Sequence, residues 1–195
     1  MSKILIYLHG LGSRGKSEKS DMLKETLSPL GISVLAPDLT TEPAEVIKLI
    51  KSIIHDLWEE RKLEKVVFCG TSLGGFFSTY FGEIFDAPYV VVNPVVRPSI
   101  AFQRYLDHPP KSWVTGDDIV FTEKTLADYA TMEALIKQPD QNNAHVFLAK
   151  DDAVIPYLAT AEKWKHSHLT ITESGGHRYD SEWNLVIDKV KQLFA

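Results

Sequence analysis

The chain has one cysteine, no excess of basic charge, and no apolar run that approaches the roughly 18 residues of a membrane-spanning helix. Each shortage closes off a class of protein. A lone Cys69 forms no internal disulfide, which excludes a disulfide-stapled scaffold, and its place in the apolar run KVVFCG reads as a small buried hydrophobe. The N-terminal MSKILIYLHG is too short in its apolar part for a signal peptide and lacks a small-residue cleavage site, so the expected location is the cytoplasm. Lys and Arg number 21 against 26 Asp and Glu, a net charge of -5, with no clustered basic patch to replace counterions around phosphates, so no nucleic-acid partner is expected. There is no HExxH, and the acidic pairs Asp117-Asp118 and Asp151-Asp152 lack companion ligands at a recognisable spacing. Neither a metal nor a membrane anchor is expected.

What is present suits one folded domain: 195 residues, 44% hydrophobic and 24% charged, with no repeat and no biased tract. Six short runs rich in β-formers read as strands: 3 to 8, 32 to 37, 65 to 70, 88 to 93, 145 to 150 and 169 to 174. Most are apolar throughout, as strands buried on both faces of a parallel sheet must be. Helical patterns fill the intervals at about 18 to 29, 43 to 60, 73 to 85, 157 to 165 and 180 to 193; in the second, Val46, Ile47, Ile50, Ile53, Ile54 and Leu57 share one face. Such alternation predicts an open α/β sheet covered by helices on both sides. One interval breaks the rhythm. Residues 94 to 143 hold VRPSIAFQRYL, the breaker-rich DHPPKSWVTGDD and a helix-like TEKTLADYATMEALI, and are expected to form a cap inserted over the strand ends.

The stretch HGLGSRGKS at 9 to 17, directly after the first strand, admits two readings. It matches the phosphate-loop pattern GxxxxGK[ST] through Gly10, Gly15, Lys16 and Ser17, and the dinucleotide pattern GxGxxG through Gly10, Gly12 and Gly15. A phosphate loop needs a helix that begins at the Gly-Lys-Ser itself, so that its free N–H groups face the anion. Here the apolar face begins only with Met22, Leu23, Leu27 and Leu30, which argues for a later start, and Glu18 and Asp21 would bring carboxylates towards the phosphates. Neither Asp38 nor Asp151 stands directly at the end of an apolar strand as a magnesium-binding acid should, though Asp38, after the second strand, could serve the ribose of a dinucleotide. A nucleotide-binding phosphotransferase or NTPase built on Lys16 and Ser17 therefore stands as the alternative.

GTSLGG at 70 to 75 competes with it, placed between a strand and the helix FFSTYFGEIF. In a nucleophile elbow the serine takes a strained conformation that lifts its Oγ out of the sheet, and glycines two residues to either side relieve the crowding; Gly70 and Gly74 hold those positions around Ser72. An alcohol needs a base at neutral pH. Of seven histidines, His177 in ESGGHRYD is the candidate, on a glycine-rich loop between the last strand and the last helix. The base needs a carboxylate, and LAKDDAVIP puts Asp151 and Asp152 just past the fifth strand, in the chain order Ser, Asp, His. Asp152, with Pro156 following, is the preferred acid, and Asp151 its rival. The loop after the first strand then supplies an oxyanion-hole N–H from Leu11 beside that of Leu73, with His9 shaping the loop. In the insertion, Phe102, Tyr105, Trp113, Phe121 and Tyr129 either line an apolar acyl pocket or pack the cap onto its domain. Asn93 and Arg97 are weighed between a polar substrate contact and, respectively, a turn and a surface ion pair.

His9-Gly10 followed by Ser13, GTSLGG, NPVVRP at 93 to 98, TGDD at 115 to 118 and GGH at 175 to 177 together resemble the small bacterial YqiA-type esterases of the α/β-hydrolase superfamily, over nearly the whole chain. One departure is that Asp151 stands where the family often has glycine before its acid. The resemblance implies a minimal α/β-hydrolase fold, six mainly parallel strands with helices on both faces and a short helical cap. It also implies cofactor-free hydrolysis of carboxylic esters or acyl thioesters. A non-catalytic binding protein on the same fold is the remaining alternative.

Overall fold

In the computed structural model of the chain, which describes residues 2–59, 63–136 and 142–195, strand and helix alternate along the sequence. Strands β1 (Ser2–Leu8), β2 (Ile32–Leu35), β3 (Leu63–Thr71), β4 (Tyr89–Val92), β5 (Ala144–Ala149) and β6 (His168–Thr172) form one sheet in the order β2-β1-β3-β4-β5-β6. Every neighbouring pair is parallel, so all the strands end at one edge of the sheet. The helices are α1 (Glu18–Leu27), α2 (Pro43–Glu59), α3 (Leu73–Phe85), α4 (Pro98–Ala101), α5 (Glu123–Leu135), α6 (Tyr157–Lys163) and α7 (Trp183–Phe194).

An extended backbone sends alternate side chains to opposite faces, and the continuously apolar strands use both. From β1, Ile4, Ile6 and Leu8 join the core on one face while Leu5 and Tyr7 join the other. The first face is covered by α2, α3 and α5 through Val46, Ile50 and Ile54, Phe76, Phe77 and Phe81, and Leu126, Tyr129 and Met132. The second is covered by α1 and α7 through Leu23 and Leu27, and Trp183, Val186, Ile187, Val190 and Phe194. Cys69 is fully buried in this second core, where burial pushes its thiol pKa far up and leaves it inert.

Between β4 and β5 the chain makes α4, a short turn of 3-10 helix and α5; residues 137–141 of the expected insertion lie outside the described residues. Helix α5 is tied down by polar anchors at both edges of its buried face. The Thr125 hydroxyl donates to Glu42 (2.8 Å), and the Tyr129 hydroxyl donates to the Thr41 carbonyl (3.0 Å). Glu133 accepts from the Ser99 N–H and hydroxyl, both at 2.7 Å. A small hairpin closed by Lys111 and Asp118 reaches back over the loop after β1, where the Trp113 N–H donates to the Gly12 carbonyl at 2.9 Å.

The first helix begins sooner than its apolar pattern suggests. Ser17 is its N-cap and forms a capping box with Ser20, so hydrogen-bond chemistry fixes the start at Glu18, one turn ahead of the first apolar residue.

Candidate active site

Neighbouring strands β1 and β3 straddle the point where the chain reverses its direction across the sheet, the place where open α/β sheets bind ligands at the carboxyl ends of their strands. Ser72 follows β3 there with φ 53° and ψ −119°, a conformation an L-residue adopts only when its surroundings impose it. Backbone contacts impose it: the Ser72 N–H donates to the Val92 carbonyl (3.0 Å), and the Ser72 carbonyl accepts from Val95 (3.1 Å) and Phe76 (3.2 Å). The flanking glycines are required by space. A Cβ on Gly74 would lie 1.9 Å from the Leu8 carbonyl oxygen, and one on Gly70 would lie 2.2 Å from that of Gly74. The elbow predicted from GTSLGG is therefore present, with Ser72 partly exposed at the head of α3.

The loop after β1 lies directly against it, since a Cβ on Gly10 would sit 3.4 Å from Ser72 Cβ. His9 holds this loop by both ring nitrogens: Nδ1 lies 2.8 Å from the Gly10 carbonyl, and Nε2 accepts from the Leu39 N–H at 2.9 Å. Those partners require a neutral ring with its proton on Nδ1. Burial, the leading cause, lowers the His9 pKa and so favours that form, against smaller raising contributions from the Gly10 carbonyl and Asp38. The Gly10 carbonyl also accepts from Ser13 (3.2 Å), which fixes the peptide plane and turns the Leu11 N–H to the opposite side. Leu11 and Leu73, the two expected oxyanion donors, line one cavity of about 20 Å³ with His9, Gly10, Gly12, Leu39, Thr40 and Thr41. That volume suits about one or two oxygen-sized atoms.

The same loop is badly arranged for phosphate. The Gly15 N–H is spent on the Asp38 carboxylate at 2.6 Å and the Ser17 N–H on the Ser20 hydroxyl at 2.9 Å. Ser17 Oγ accepts from the Ser20 N–H as the helix cap, and Lys16 points to solvent. Donors that a nucleotide would need are occupied within the chain, and a carboxylate sits against the loop.

Asp152 and His177 meet across the ends of β5 and β6, with Nδ1 of His177 2.9 Å from Oδ2 of Asp152. The Asp152 side chain is fully buried and that of His177 about a quarter exposed. The other carboxylate oxygen accepts from the N–H groups of Val154 (2.7 Å) and Ile155 (3.0 Å), a turn that aims it. Burial pushes this carboxyl's pKa up, yet the hydrogen bonds from His177, Ile155 and Val154 outweigh it and hold the group below the usual carboxylate range. An ionised Asp152 fixes the Nδ1–H tautomer, leaving Nε2 of His177 as a base. Asp151 has different work: its exposed carboxylate accepts the Gly176 N–H at 2.8 Å and so ties down the histidine loop. Beyond it Tyr179, fully buried with φ 60°, plugs that loop into the second core.

Of the five aromatic residues predicted in the insertion, four gather together. Phe102 contacts Tyr105, Phe121 and Tyr129 with ring centroids 5.6, 5.0 and 5.9 Å apart, and Tyr129 reaches Phe76 and Phe77 of α3. Trp113 stands apart, 87% exposed on its hairpin beside Gly12. Arg97 lies 3.8 Å from Glu133, the weighed ion pair. Asn93 is buried with φ 42° and turns its side chain to the protein's own backbone: Oδ1 accepts from Ala149 (3.0 Å), and Nδ2 donates to the carbonyls of Gly176 (2.9 Å) and His177 (3.2 Å). In the sequence it is weighed between a polar substrate contact and a turn, and neither reading includes these bonds to remote backbone atoms.

The model of the uncharacterised protein family UPF0227 matches residues 4–194. Among curated relatives, a UPF0227 protein of Vibrio cholerae is 24% identical over 106 residues, 54% of this chain and 59% of that protein. The chain thus spans about three fifths of the length of the first relatives it matches. The UPF0227 protein YcfP of Escherichia coli is 20% identical over 90% of this chain and 91% of its own length. Among solved structures, mouse alpha/beta hydrolase domain-containing protein 10 aligns with a TM-score of 0.77 at 13% identity, covering 100% of this chain and 90% of that one. A Paleococcus ferrophilus monoacylglycerol lipase aligns at 0.67 and 18% identity, covering 97% and 94%. At such identities the likeness speaks for the fold, which is that of the α/β hydrolases.

Proposed function

We propose that this chain, which belongs to the UPF0227 family, is a serine hydrolase that cleaves carboxylic esters or acyl thioesters through Ser72, His177 and Asp152. The observation that carries the reading is the 2.9 Å hydrogen bond between His177 and the buried Asp152 carboxylate, formed at the same edge of the sheet as the strained Ser72. A surface histidine has no need of a fully buried carboxylate aimed by two backbone N–H groups.

In the proposed reaction Ser72 Oγ attacks the acyl carbonyl carbon while Nε2 of His177 takes the hydroxyl proton. Asp152 stays ionised and stabilises the imidazolium. The negative charge that develops on the carbonyl oxygen is met by the N–H groups of Leu11 and Leu73, whose shared cavity has room for the oxygen. Collapse of the tetrahedral adduct expels the alcohol or thiol, which leaves with the proton from His177. Water, activated by the same imidazole, then attacks the acyl-enzyme and releases the acid. The chemistry uses no metal or cofactor.

The packing of Phe102, Tyr105, Phe121 and Tyr129 against α3 supports a role in holding the insertion to the sheet, whereas Trp113, exposed beside the oxyanion loop, suits a substrate contact. Among the described residues no helix is long and apolar enough to cross a membrane, and the partner proposed is a small-molecule ester or thioester. Hydrolysis of p-nitrophenyl acetate and of a short acyl thioester by the wild type and by Ser72→Ala tests the reading. Turnover is expected to vanish in a variant that melts like the wild type; undiminished turnover by Ser72→Ala would refute it.

A further inference from the structure

The segment NPVVRP is a sequence motif that the proposed chemistry does not use. We infer that Asn93 is a positioning residue that sets Ser72, Asp152 and His177 in register, an assignment that rests on the hydrolase reading above. Segment 92–95 reaches each of the three loops. Towards the nucleophile, the Val92 carbonyl accepts from the Ser72 N–H and the Val95 N–H donates to the Ser72 carbonyl, so the elbow is gripped on both sides of Asn93. Towards the acid, the Asn93 N–H donates to the Phe147 carbonyl (2.9 Å) and its Oδ1 accepts from Ala149, three residues before Asp152. Towards the base, Nδ2 donates to the carbonyls of Gly176 and His177.

The chemistry of the side chain matches this set. One acceptor faces an N–H and one NH₂ faces two carbonyls, which fixes the amide orientation and admits neither Asp nor Leu, the isosteres of opposite character. The residue also has φ 42°, in the left-handed region where Asn is the most tolerated non-glycine residue. It is 1% exposed, so its hydrogen bonds compete with no water. Asp151 completes the hold on the histidine loop, taking the Gly176 N–H while Asn93 takes the Gly176 carbonyl. A peptide pinned at both its neighbouring polar groups leaves the His177 backbone little freedom. The imidazole is thereby delivered to Asp152 from a fixed base rather than from a mobile, glycine-rich loop.

Two substitutions in the full chain separate this role from mere folding. Asn93→Gly keeps the left-handed backbone and removes the amide. Asn93→Asp keeps the acceptor for Ala149 and puts a charge against the two carbonyl oxygens. The readouts are the melting temperature, the second-order rate of labelling by a fluorophosphonate probe between pH 5 and 9, and the proton resonance on Nδ1 of His177. Folded variants are expected to label about 10²-fold more slowly, the cost of misplacing reacting groups by about an ångström. Labelling at the wild-type rate per folded molecule would overturn the assignment; if Asn93→Gly does not fold, Asn93→Asp decides. A wild type that takes no label counts against the hydrolase reading instead. The Asn93 assignment is then judged on the Nδ1 resonance, whose loss in the variants supports it and whose unchanged retention overturns it.

Discussion

The loops after β1 and after β6 are built alike and, in the proposed reaction, do different things. Each is glycine-rich, and each has a glycine N–H held by an aspartate from another strand end: Gly15 by Asp38 at 2.6 Å and Gly176 by Asp151 at 2.8 Å. Each also has a carbonyl fixed by a buried side chain, Gly10 by His9 and Gly176 by Asn93. In the first loop what is presented is backbone, the Leu11 N–H. In the second it is a side chain, the His177 imidazole. A backbone donor leaves no trace in a sequence beyond the glycines that let it approach, and those glycines equally fit a phosphate. A histidine on a strand-end loop is at least visible as a candidate base. In the sequence the first loop therefore admits two chemistries, while the second offers one candidate base.

Breaking the loops in turn measures what each contributes. The largest loss is expected from the second. His177→Ala should cost about 10⁴-fold or more in kcat for ester hydrolysis, and Asp152→Asn about 10⁴-fold, since a neutral amide no longer holds the tautomer or the charge. Next comes His9→Phe, which removes both ring bonds of the first loop and should lower kcat by about 10² to 10³ with KM little changed. The oxyanion contact exists only as charge develops, so substrate binding does not report it. Asp38→Ala and Asp151→Ala should be mildest: each removes one partly solvated hydrogen bond worth about 1 kcal/mol, a loss of about fivefold. If Asp151→Ala were as severe as Asp152→Asn, the division of labour between the adjacent aspartates would be wrong.

Acid should separate the loops without mutation. The His9 pKa is lowered in the folded chain by burial, so the neutral ring contributes stability that is fully present above the unfolded value of about 6.5 and is lost as the pH falls below it. Asp152, held below its ordinary range, contributes stability that is present above about 3.9 and is lost only as the pH falls through its own lower value. Amide exchange, corrected for intrinsic rates, should therefore speed up first at Leu39, whose N–H donates to His9, while Val154 and Ile155 stay protected to lower pH. The reverse order would contradict the neutral-ring account of the first loop.

Much of the scaffold was legible because burial on both faces writes itself as continuous apolar runs. All six strands lie where those runs lie, and the helices follow their apolar periodicity. The start of α1 at about residue 18 agrees with the expected range, but the later start argued from its apolar face does not hold, because a Ser-Ser capping box fixes it. In the candidate site, Ser72 is singled out by the glycines of its elbow and Asp152 by its strand-end position, while only the fold shows which of the adjacent aspartates meets His177. Asn93 was hidden for a simpler reason: its three partners are backbone atoms at Ala149, Gly176 and His177, remote in the chain, and backbone atoms have no sequence identity.

The central claim is that the Ser72 hydroxyl is made nucleophilic by His177 and Asp152. Mass mapping of the protein after exposure to a fluorophosphonate tests it without knowledge of the natural substrate. One adduct on the peptide that carries Ser72, absent when His177 is replaced by alanine, is the predicted result. A protein that takes no adduct, or one that is labelled equally well without His177, would contradict it.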